Sequence, residues 1–128
     1  MRKYLAMIGL LACAACTDPI GGLRPGYPAR DFDARLTKKA QELAPVIRAL
    51  DLHIETTGSI PDSLERLSPV VQAPRGLYYS PGKGYYRCGV KLGWDPTLWY
   101  DSRTRDWTFD PGDGSPAKVI RLDVELSH

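Results

Sequence analysis

Two cysteines near the amino terminus, Cys13 and Cys16, carry the clearest covalent chemistry in the sequence. They follow a pair of basic residues, a short apolar run over residues 4–11 and several small residues, which is the plan of a bacterial secretory signal. The apolar run is far shorter than the ~20 residues that span a bilayer. Because a cysteine thiol in this setting can be joined to a lipid, the pattern predicts a lipoprotein-like leader over residues 1–16.

Three cleavage patterns fit the leader. Residues 10–13 resemble a lipobox that ends at Cys13, although that leader would be unusually short. Residues 13–16 give a more usual length with Cys16 as the lipidated residue, but they put a cysteine where an aliphatic residue is usual. Residues 12–14 also fit an ordinary signal peptidase, which would release a soluble protein. Lipidation is favoured, with Cys13 and Cys16 both open. It implies an anchor on the periplasmic face of a bacterial membrane, with the outer membrane favoured.

The charge balance argues against one class of partner. The whole chain has 17 basic and 15 acidic side chains, and the leader contains two of the basic ones and none of the acidic ones. The remaining domain is therefore formally neutral, which argues against binding to nucleic acid or to an anionic membrane surface. About 110 residues follow the leader, enough for one small domain with one core.

No set of side chains indicates catalysis. His53 and His128 are the only histidines, and no serine lies in a Gly-x-Ser-x-Gly context. The spacing of cysteine and histidine does not fit a zinc site. Asp110, Asp113 and Ser115 could offer oxygens to calcium, but they lack the alternating aspartates of an EF-hand loop, so a plain turn is favoured. The sequence therefore predicts no catalytic residue, no metal site and no cofactor.

The third cysteine, Cys88, alternates in phase with the apolar residues of a strand-like segment, which favours a buried core thiol. A disulfide between Cys16 and Cys88 is the alternative if the lipid is on Cys13, because the periplasm is oxidising.

Aromatic side chains form a second group, suited to binding rather than to reaction. They concentrate between residues 78 and 107, with basic side chains among them. Strand alternation predicts that Tyr85 and Trp99 point away from the core if their neighbours point into it, with Arg87 and Arg103 nearby. Exposed aromatic and arginine side chains suit a protein-binding surface. The alternatives are a sugar-stacking face, or aromatics that the tether or a loop covers.

The first element that must position these side chains is a long helix. Apolar residues recur every three or four positions over residues 32–54, which gives one apolar stripe at helical period. Asp31 and Asp33 suit the start of the helix, and Gly58 suits its end. Pro45 interrupts the pattern without changing its phase, so we expect a kinked helix or two abutting helices.

Beyond the helix the hydrophobic period changes to two, which indicates half-buried strands. The predicted strands cover residues 86–92, 98–102, 105–110 and 120–126. Strands in succession with short links favour an antiparallel meander. The order of elements predicts an α+β domain over residues 31–128, with the kinked helix packed on one face of the sheet. Residues 17–30 are rich in proline and glycine and indicate a flexible tether.

Gly58, Pro61, Leu64 and Leu67 follow the predicted helix at a spacing that resembles the "GxYPxxLxxL" segment of type II secretion pseudopilins and related type IV pilin-like proteins. Residues 74–79 resemble the later "PWGxxYxY" motif at the start of the first strand in that family. The likeness covers residues 32–79 and weakens over the terminal strands.

The sequence also departs from the family. Ile60 and Arg75 stand where the motifs have tyrosine and tryptophan, and nothing matches the hydrophobic "FTLIE" helix that packs pilin filaments. The resemblance therefore implies a pilin-like globular head carried on a lipoprotein, which binds an envelope protein rather than building a filament. The expected roles are an accessory of a secretion or pilus system, or a periplasmic inhibitor or immunity protein. A cell-wall or glycan-binding module is the alternative.

Overall fold

The computed structural model describes Leu23, residues 26–67 and residues 71–127. The predicted leader with Cys13 and Cys16, and most of the predicted tether, lie outside these residues. The described chain forms a helix, a short 3₁₀ turn and a five-stranded sheet. The elements are α1 (Ala34–Thr57), the 3₁₀ turn (Leu64–Arg66), β1 (Leu77–Pro81), β2 (Tyr86–Lys91), β3 (Thr97–Asp101), β4 (Asp106–Asp110) and β5 (Lys118–Ile120). The predicted α+β class is confirmed.

Both ends of α1 are fixed by local chemistry. The carboxylate of Asp33 accepts hydrogen bonds from the backbone N–H groups of Arg35 at 2.9 Å and Leu36 at 3.1 Å, so Asp33 is the N-cap. Gly58 ends the helix in the left-handed conformation, with φ of 76°, and donates its N–H to the carbonyl of Ile54 at 2.7 Å. The predicted start and end are thus confirmed to within a few residues.

Pro45 lies inside one continuous helix of 24 residues, so the alternative of two abutting helices is wrong. Proline lacks the N–H that would bond to the carbonyl four residues earlier, which is that of Gln41. Both Pro45 and Gln41 lie on the exposed side of α1, where water can satisfy the free carbonyl. The opposite side keeps its helical period and buries the predicted stripe from Leu36 to Leu50; Phe32, at the start of the stripe, lies before the helix and is 60% exposed, and Ile54 is half-buried.

The sheet is a meander in the order β1-β2-β3-β4-β5, and all four strand pairs are antiparallel. A tight turn joins β3 to β4, as the short link between the predicted strands requires, and places Arg105 at φ of 58°. Alternation puts one face of the sheet against α1. The buried side chains of that face are Tyr86, Cys88, Val90, Leu98, Tyr100, Trp107, Phe109 and Ile120.

The last predicted strand is wrong beyond Ile120. Residues 121–127 belong to no strand, although Leu122, Val124 and Leu126 are half-buried and pack against the core. The backbone of Arg121 bonds to the start of the helix instead of to β4: its carbonyl accepts from Phe32 N–H at 2.6 Å. Its N–H donates to the Asp31 carboxylate at 3.0 Å. These bonds take the chain out of the sheet ladder.

Part of the segment predicted to be a flexible tether packs on the domain. Leu23 is only 5% exposed and forms a parallel bridge with Gly93, in which its N–H donates to the carbonyl of Leu92 at 2.5 Å. Ala29 is also buried, and the Tyr27 hydroxyl donates to the Asp33 carboxylate at 2.7 Å. These contacts extend the core past the predicted boundary at Asp31. Within the described ranges, α1 is not apolar enough to cross a membrane.

Candidate functional site

The face of the sheet that points away from α1 has no element packed over it among the described elements. We call this surface the outer face. Strand register sets its side chains in three rows that cross the sheet. The middle row is Tyr78, Gly89, Trp99, Thr108 and Val119; the flanking rows are Ser80, Arg87, Asp101 and Asp106 on one side, and Lys91, Thr97 and Asp110 on the other.

Trp99 lies flat across the backbone of the neighbouring strand. A side-chain carbon at Gly89 would come within 2.6 Å of the indole, so glycine at this position is what lets the ring settle onto the sheet. Tyr78 stacks beside the indole, with ring centroids 6.1 Å apart and planes 23° apart. Tyr78 is 47% exposed and Trp99 is half-buried. Together they form a flat aromatic surface in the middle of the outer face.

Arg87 completes this surface. Its guanidinium carbon lies 4.5 Å from the centroid of the Trp99 ring, which is a cation–π contact. Among the described residues the Arg87 side chain makes no hydrogen bond and no ion pair. A stacked guanidinium keeps its N–H donors at the rim of the ring. Arg87 therefore presents unused donors next to exposed aromatic carbon.

A second cation–π pair lies at the end of the sheet, where the β1–β2 and β3–β4 turns meet. The Arg103 guanidinium carbon is 3.7 Å from the centroid of the Tyr85 ring, and Tyr85 packs over Gly82. Arg103 also donates twice to the Asp101 carboxylate, at 3.2 and 2.7 Å. These hydrogen bonds lower the pKa of Asp101 and raise that of Arg103. The pair is therefore held in one orientation.

The structure brings all four predicted binding residues onto one surface. Arg87 and Asp101 are cross-strand neighbours, so the pair of Arg87 with Trp99 adjoins the pair of Arg103 with Tyr85. The prediction for Tyr85 and Trp99 required their neighbours to point into the core. Those neighbours, Tyr86 and Leu98, are fully buried on the α1 side. The matching of each arginine to its own ring was not predicted, because it depends on the register between strands.

Sequence reasoning missed a partly buried polar cluster between α1 and the sheet. The Tyr86 hydroxyl donates to the Asp51 carboxylate at 2.7 Å, and Arg105 lies 3.8 Å from the other oxygen of that carboxylate. The hydroxyl of Tyr100 is buried and has no hydrogen-bond partner within the described part of the chain. Burial raises the pKa of Tyr100 to about 12. One feature of the sequence could have indicated this cluster: Asp51 comes four residues after Ile47, which puts its carboxylate on the side of α1 that faces the sheet.

Cys88 lies next to this cluster and is fully buried, so the predicted core thiol is confirmed. It is a free cysteine, and burial raises its pKa to about 12. The alternative disulfide involves Cys16, which lies outside the described residues.

The other residues considered for chemistry lie apart from the outer face's aromatic centre. His53 is half-buried on α1, and His128 lies outside the described residues. Asp110 and Asp113 each accept a backbone N–H from the residue two positions later, at 3.0 and 2.9 Å, which is a turn arrangement. In residues 23, 26–67 and 71–127, no three metal-ligating side chains gather.

Comparison with known proteins found no matching family model, no matching curated protein and no matching solved structure.

Proposed function

We propose that this protein is a cell-envelope lipoprotein that acts by binding another protein through Tyr85, Arg87, Trp99 and Arg103. The observation that carries the proposal is the meeting of two cation–π pairs on a sheet face that no described element covers. The anchor in this proposal is a lipid on Cys13 or Cys16, and the binding surface belongs to the domain that follows.

The physical case for protein binding rests on preorganisation. Tryptophan, tyrosine and arginine dominate the energetically important positions of protein interfaces. Arg103 is fixed between Asp101 and the Tyr85 ring, so its side chain has little conformational entropy left to lose on binding. Arg87 offers donors that are unused within the described protein, which suits a partner carboxylate or carbonyl.

The proposal includes a pilin-like head with a helix bent at Pro45. Its support is the way the segment after α1 docks on the sheet: the Tyr79 hydroxyl donates to the carbonyl of Pro61 at 2.6 Å, and Leu67 is buried. The two segments that carry the pseudopilin resemblance therefore touch each other. The roles that this proposal takes from the resemblance and the anchor are an accessory of a secretion or pilus system, or a periplasmic inhibitor or immunity protein.

A second candidate function is binding of cell-wall glycan. The flat stack of Tyr78 and Trp99 over Gly89 favours it, because a sugar ring packs its C–H face against such a surface. Arg87 already occupies space over the Trp99 ring, and for that reason the protein partner stands first.

The test is an in-cell crosslink and pull-down of the tagged full-length protein, with mass spectrometry of the captured partners and of the mature amino terminus. We expect a stoichiometric protein partner that is lost in Arg87→Ala and Trp99→Ala. Phe32→Ala is the matched control, since Phe32 is an aromatic residue that is 60% exposed near the start of α1. Capture that is equal in all variants would refute the surface.

The same experiment separates the other parts of the proposal. Diacylglycerol on Cys13 or Cys16 would support the anchor, whereas an unmodified terminus near Ala15 would refute it. If no protein is captured but peptidoglycan retains the wild type and not Trp99→Ala, the glycan-binding alternative replaces the protein-binding one.

A further inference from the structure

Charge on the outer face is divided by strand. On β2 the outward side chains are the basic Arg87 and Lys91, and on β4 they include the acidic Asp106 and Asp110. The strand between them, β3, carries Trp99 at its centre. The outer face is therefore basic on one side of Trp99 and acidic on the other.

The strand register places these charges at matching heights. Arg87 and Asp106 both pair with Asp101 of β3, so they lie in one row on either side of it. Lys91 and Asp110 both pair with Thr97 and lie in another row. The charges of β2 and β4 are thus antisymmetric about a line that runs along β3, on which the remaining charge, Asp101, is paired with Arg103 of the same chain.

The middle row of the outer face has an apolar or aromatic side chain on each side of Trp99. Tyr78 and Val119 each lie two strands away from Trp99, on opposite sides of it. Both are exposed, to 47% and 62%. Between them, the small residues Gly89 and Thr108 are the immediate neighbours of Trp99, and the Trp99 indole itself lies over Gly89.

We propose that the outer face binds a second copy of this chain, with a twofold axis parallel to β3 and passing over Trp99. Such an axis lays β2 of one copy over β4 of the other, so that Arg87 meets Asp106 and Lys91 meets Asp110. Each of these pairs forms twice. Trp99, with Arg87 stacked on its ring, lies opposite Trp99 of the second copy, and Tyr78 lies opposite Val119. This inference rests on the proposed function in that the same surface is taken to bind protein, and it names the partner.

The side chains of the Arg87–Asp106 pair are available for this contact, whereas Lys91 Nζ already donates to the Trp94 carbonyl at 2.5 Å and Asp110 accepts the Gly112 N–H, so the Arg87–Asp106 pair is the one that carries the test. Neither the Arg87 guanidinium nor the Asp106 carboxylate makes a hydrogen bond or ion pair with any described residue. A twofold interface requires one patch that complements itself, and the charge antisymmetry supplies that property. Two sheets that face each other also pack with their strands nearly aligned, as this axis requires.

The dimer should be weak. Five strands about 4.8 Å apart and about 17 Å long give a footprint of roughly 400 Å² per copy. Stable interfaces bury about 800 Å² per partner. We therefore expect a dissociation constant on the order of 100 μM, which attachment of both copies to one membrane would offset by raising their local concentration.

The test uses the full-length chain in a density-matched detergent, with sedimentation equilibrium from about 10 μM to about 1 mM. The wild type should dimerise reversibly. Arg87→Asp alone and Asp106→Arg alone should each weaken the dimer by roughly tenfold or more, since each puts two like-charge contacts into every homodimer. Lys38→Asp, on the exposed side of α1, is the matched control and should dimerise like the wild type.

Mixing the two charge-swapped variants is the decisive step. In a mixed dimer both contacts join opposite charges again, so association should return to the level of the wild type. Recovery on mixing also shows that both variants are folded. The double variant Arg87→Asp with Asp106→Arg should dimerise by itself for the same reason.

Three results distinguish the two proposals. A wild type that stays monomeric at about 1 mM, or charge swaps without effect, would overturn self-association. If the wild type is monomeric while Trp99-dependent capture of a different protein persists, self-association is wrong and the proposed function stands. If a dimer of the expected charge dependence forms while no other protein is captured, self-association stands and the envelope partner is wrong.

Discussion

Two tyrosines that touch in the core should respond to loss of their hydroxyl groups with opposite signs. Tyr86 and Tyr100 have ring centroids 6.3 Å apart. The Tyr86 hydroxyl donates to the Asp51 carboxylate at 2.7 Å, whereas the buried Tyr100 hydroxyl has no hydrogen-bond partner within the described residues. We therefore expect Tyr100→Phe to stabilise the protein and Tyr86→Phe to destabilise it.

The magnitudes follow from what each hydroxyl gives up on folding. A buried hydroxyl without a partner costs about 1–3 kcal/mol, so Tyr100→Phe should raise the free energy of unfolding by about 1 kcal/mol after the lost packing is subtracted. A hydrogen bond to a charged group contributes about 1.5–3 kcal/mol. Its loss in Tyr86→Phe would leave Asp51, whose side chain is 17% exposed, with Arg105 at 3.8 Å. We expect Tyr86→Phe to lower the free energy of unfolding by about 2 kcal/mol.

Urea unfolding followed by circular dichroism measures both values, and thermal unfolding checks their signs. For a domain of this size, 1 kcal/mol corresponds to a shift in Tm of about 4–8 °C. If Tyr100→Phe destabilised the protein by 1 kcal/mol or more, the hydroxyl would be bonded in solution and the argument from an unpaired group would fail. Equal losses in the two variants would refute it as well.

Three further predictions concern the outer face, the buried thiol and the helix start. Gly89→Ala should lower the free energy of unfolding by about 1–3 kcal/mol and shift tryptophan fluorescence, since the added carbon would lie 2.6 Å from the Trp99 indole; an unchanged spectrum would contradict this. Burial raises the pKa of Cys88 to about 12, so a thiol reagent at about pH 8 should label it only after unfolding. Because the folded protein favours the neutral thiol, the contribution of Cys88 to the free energy of unfolding should be constant below about pH 9 and should fall as the pH rises toward 12. Labelling of the folded protein at the rate of a free thiol would refute the burial on which both expectations depend. Asp33→Ala should cost about 1 kcal/mol in urea unfolding through loss of the N-cap, whereas Asp33→Asn should keep most of it, and equal losses would show that the bond from Tyr27 matters more than the cap.

Local patterns in the sequence were sufficient for most of the fold. The stripe of α1, its caps at Asp33 and Gly58, and the burial of alternate residues in β2 and β3 all depend on neighbours within a few positions. The residues after Ile120 have the same alternation yet form no strand. Their course depends on bonds from Arg121 to residues about 90 positions away, which no local pattern reveals.

For the candidate site, the sequence likewise predicts the direction of single side chains but not the contacts between strands. Alternation alone indicates that Trp99 points away from the core, and the structure agrees. It cannot show that Arg87 covers the Trp99 ring, or that Arg87 and Asp106 flank the same residue of β3, because both facts require the register of three strands. The link from Asp51 to Tyr86 was missed for a related reason, since it joins a helix and a strand 35 residues apart.

The bridge between Leu23 and Gly93 limits how far the domain can lie from its proposed anchor. Cys16 is seven residues and Cys13 ten residues before Leu23, so a fully extended chain reaches about 25 Å or about 35 Å from the lipid to the bridge. The bridge lies by the β2–β3 loop, at the end of the strands opposite Tyr85 and Arg103. With a lipid on Cys13 or Cys16, as proposed, the β2–β3 loop would be the end of the sheet tethered nearer the membrane, and the paired Tyr85 and Arg103 would lie at the opposite end.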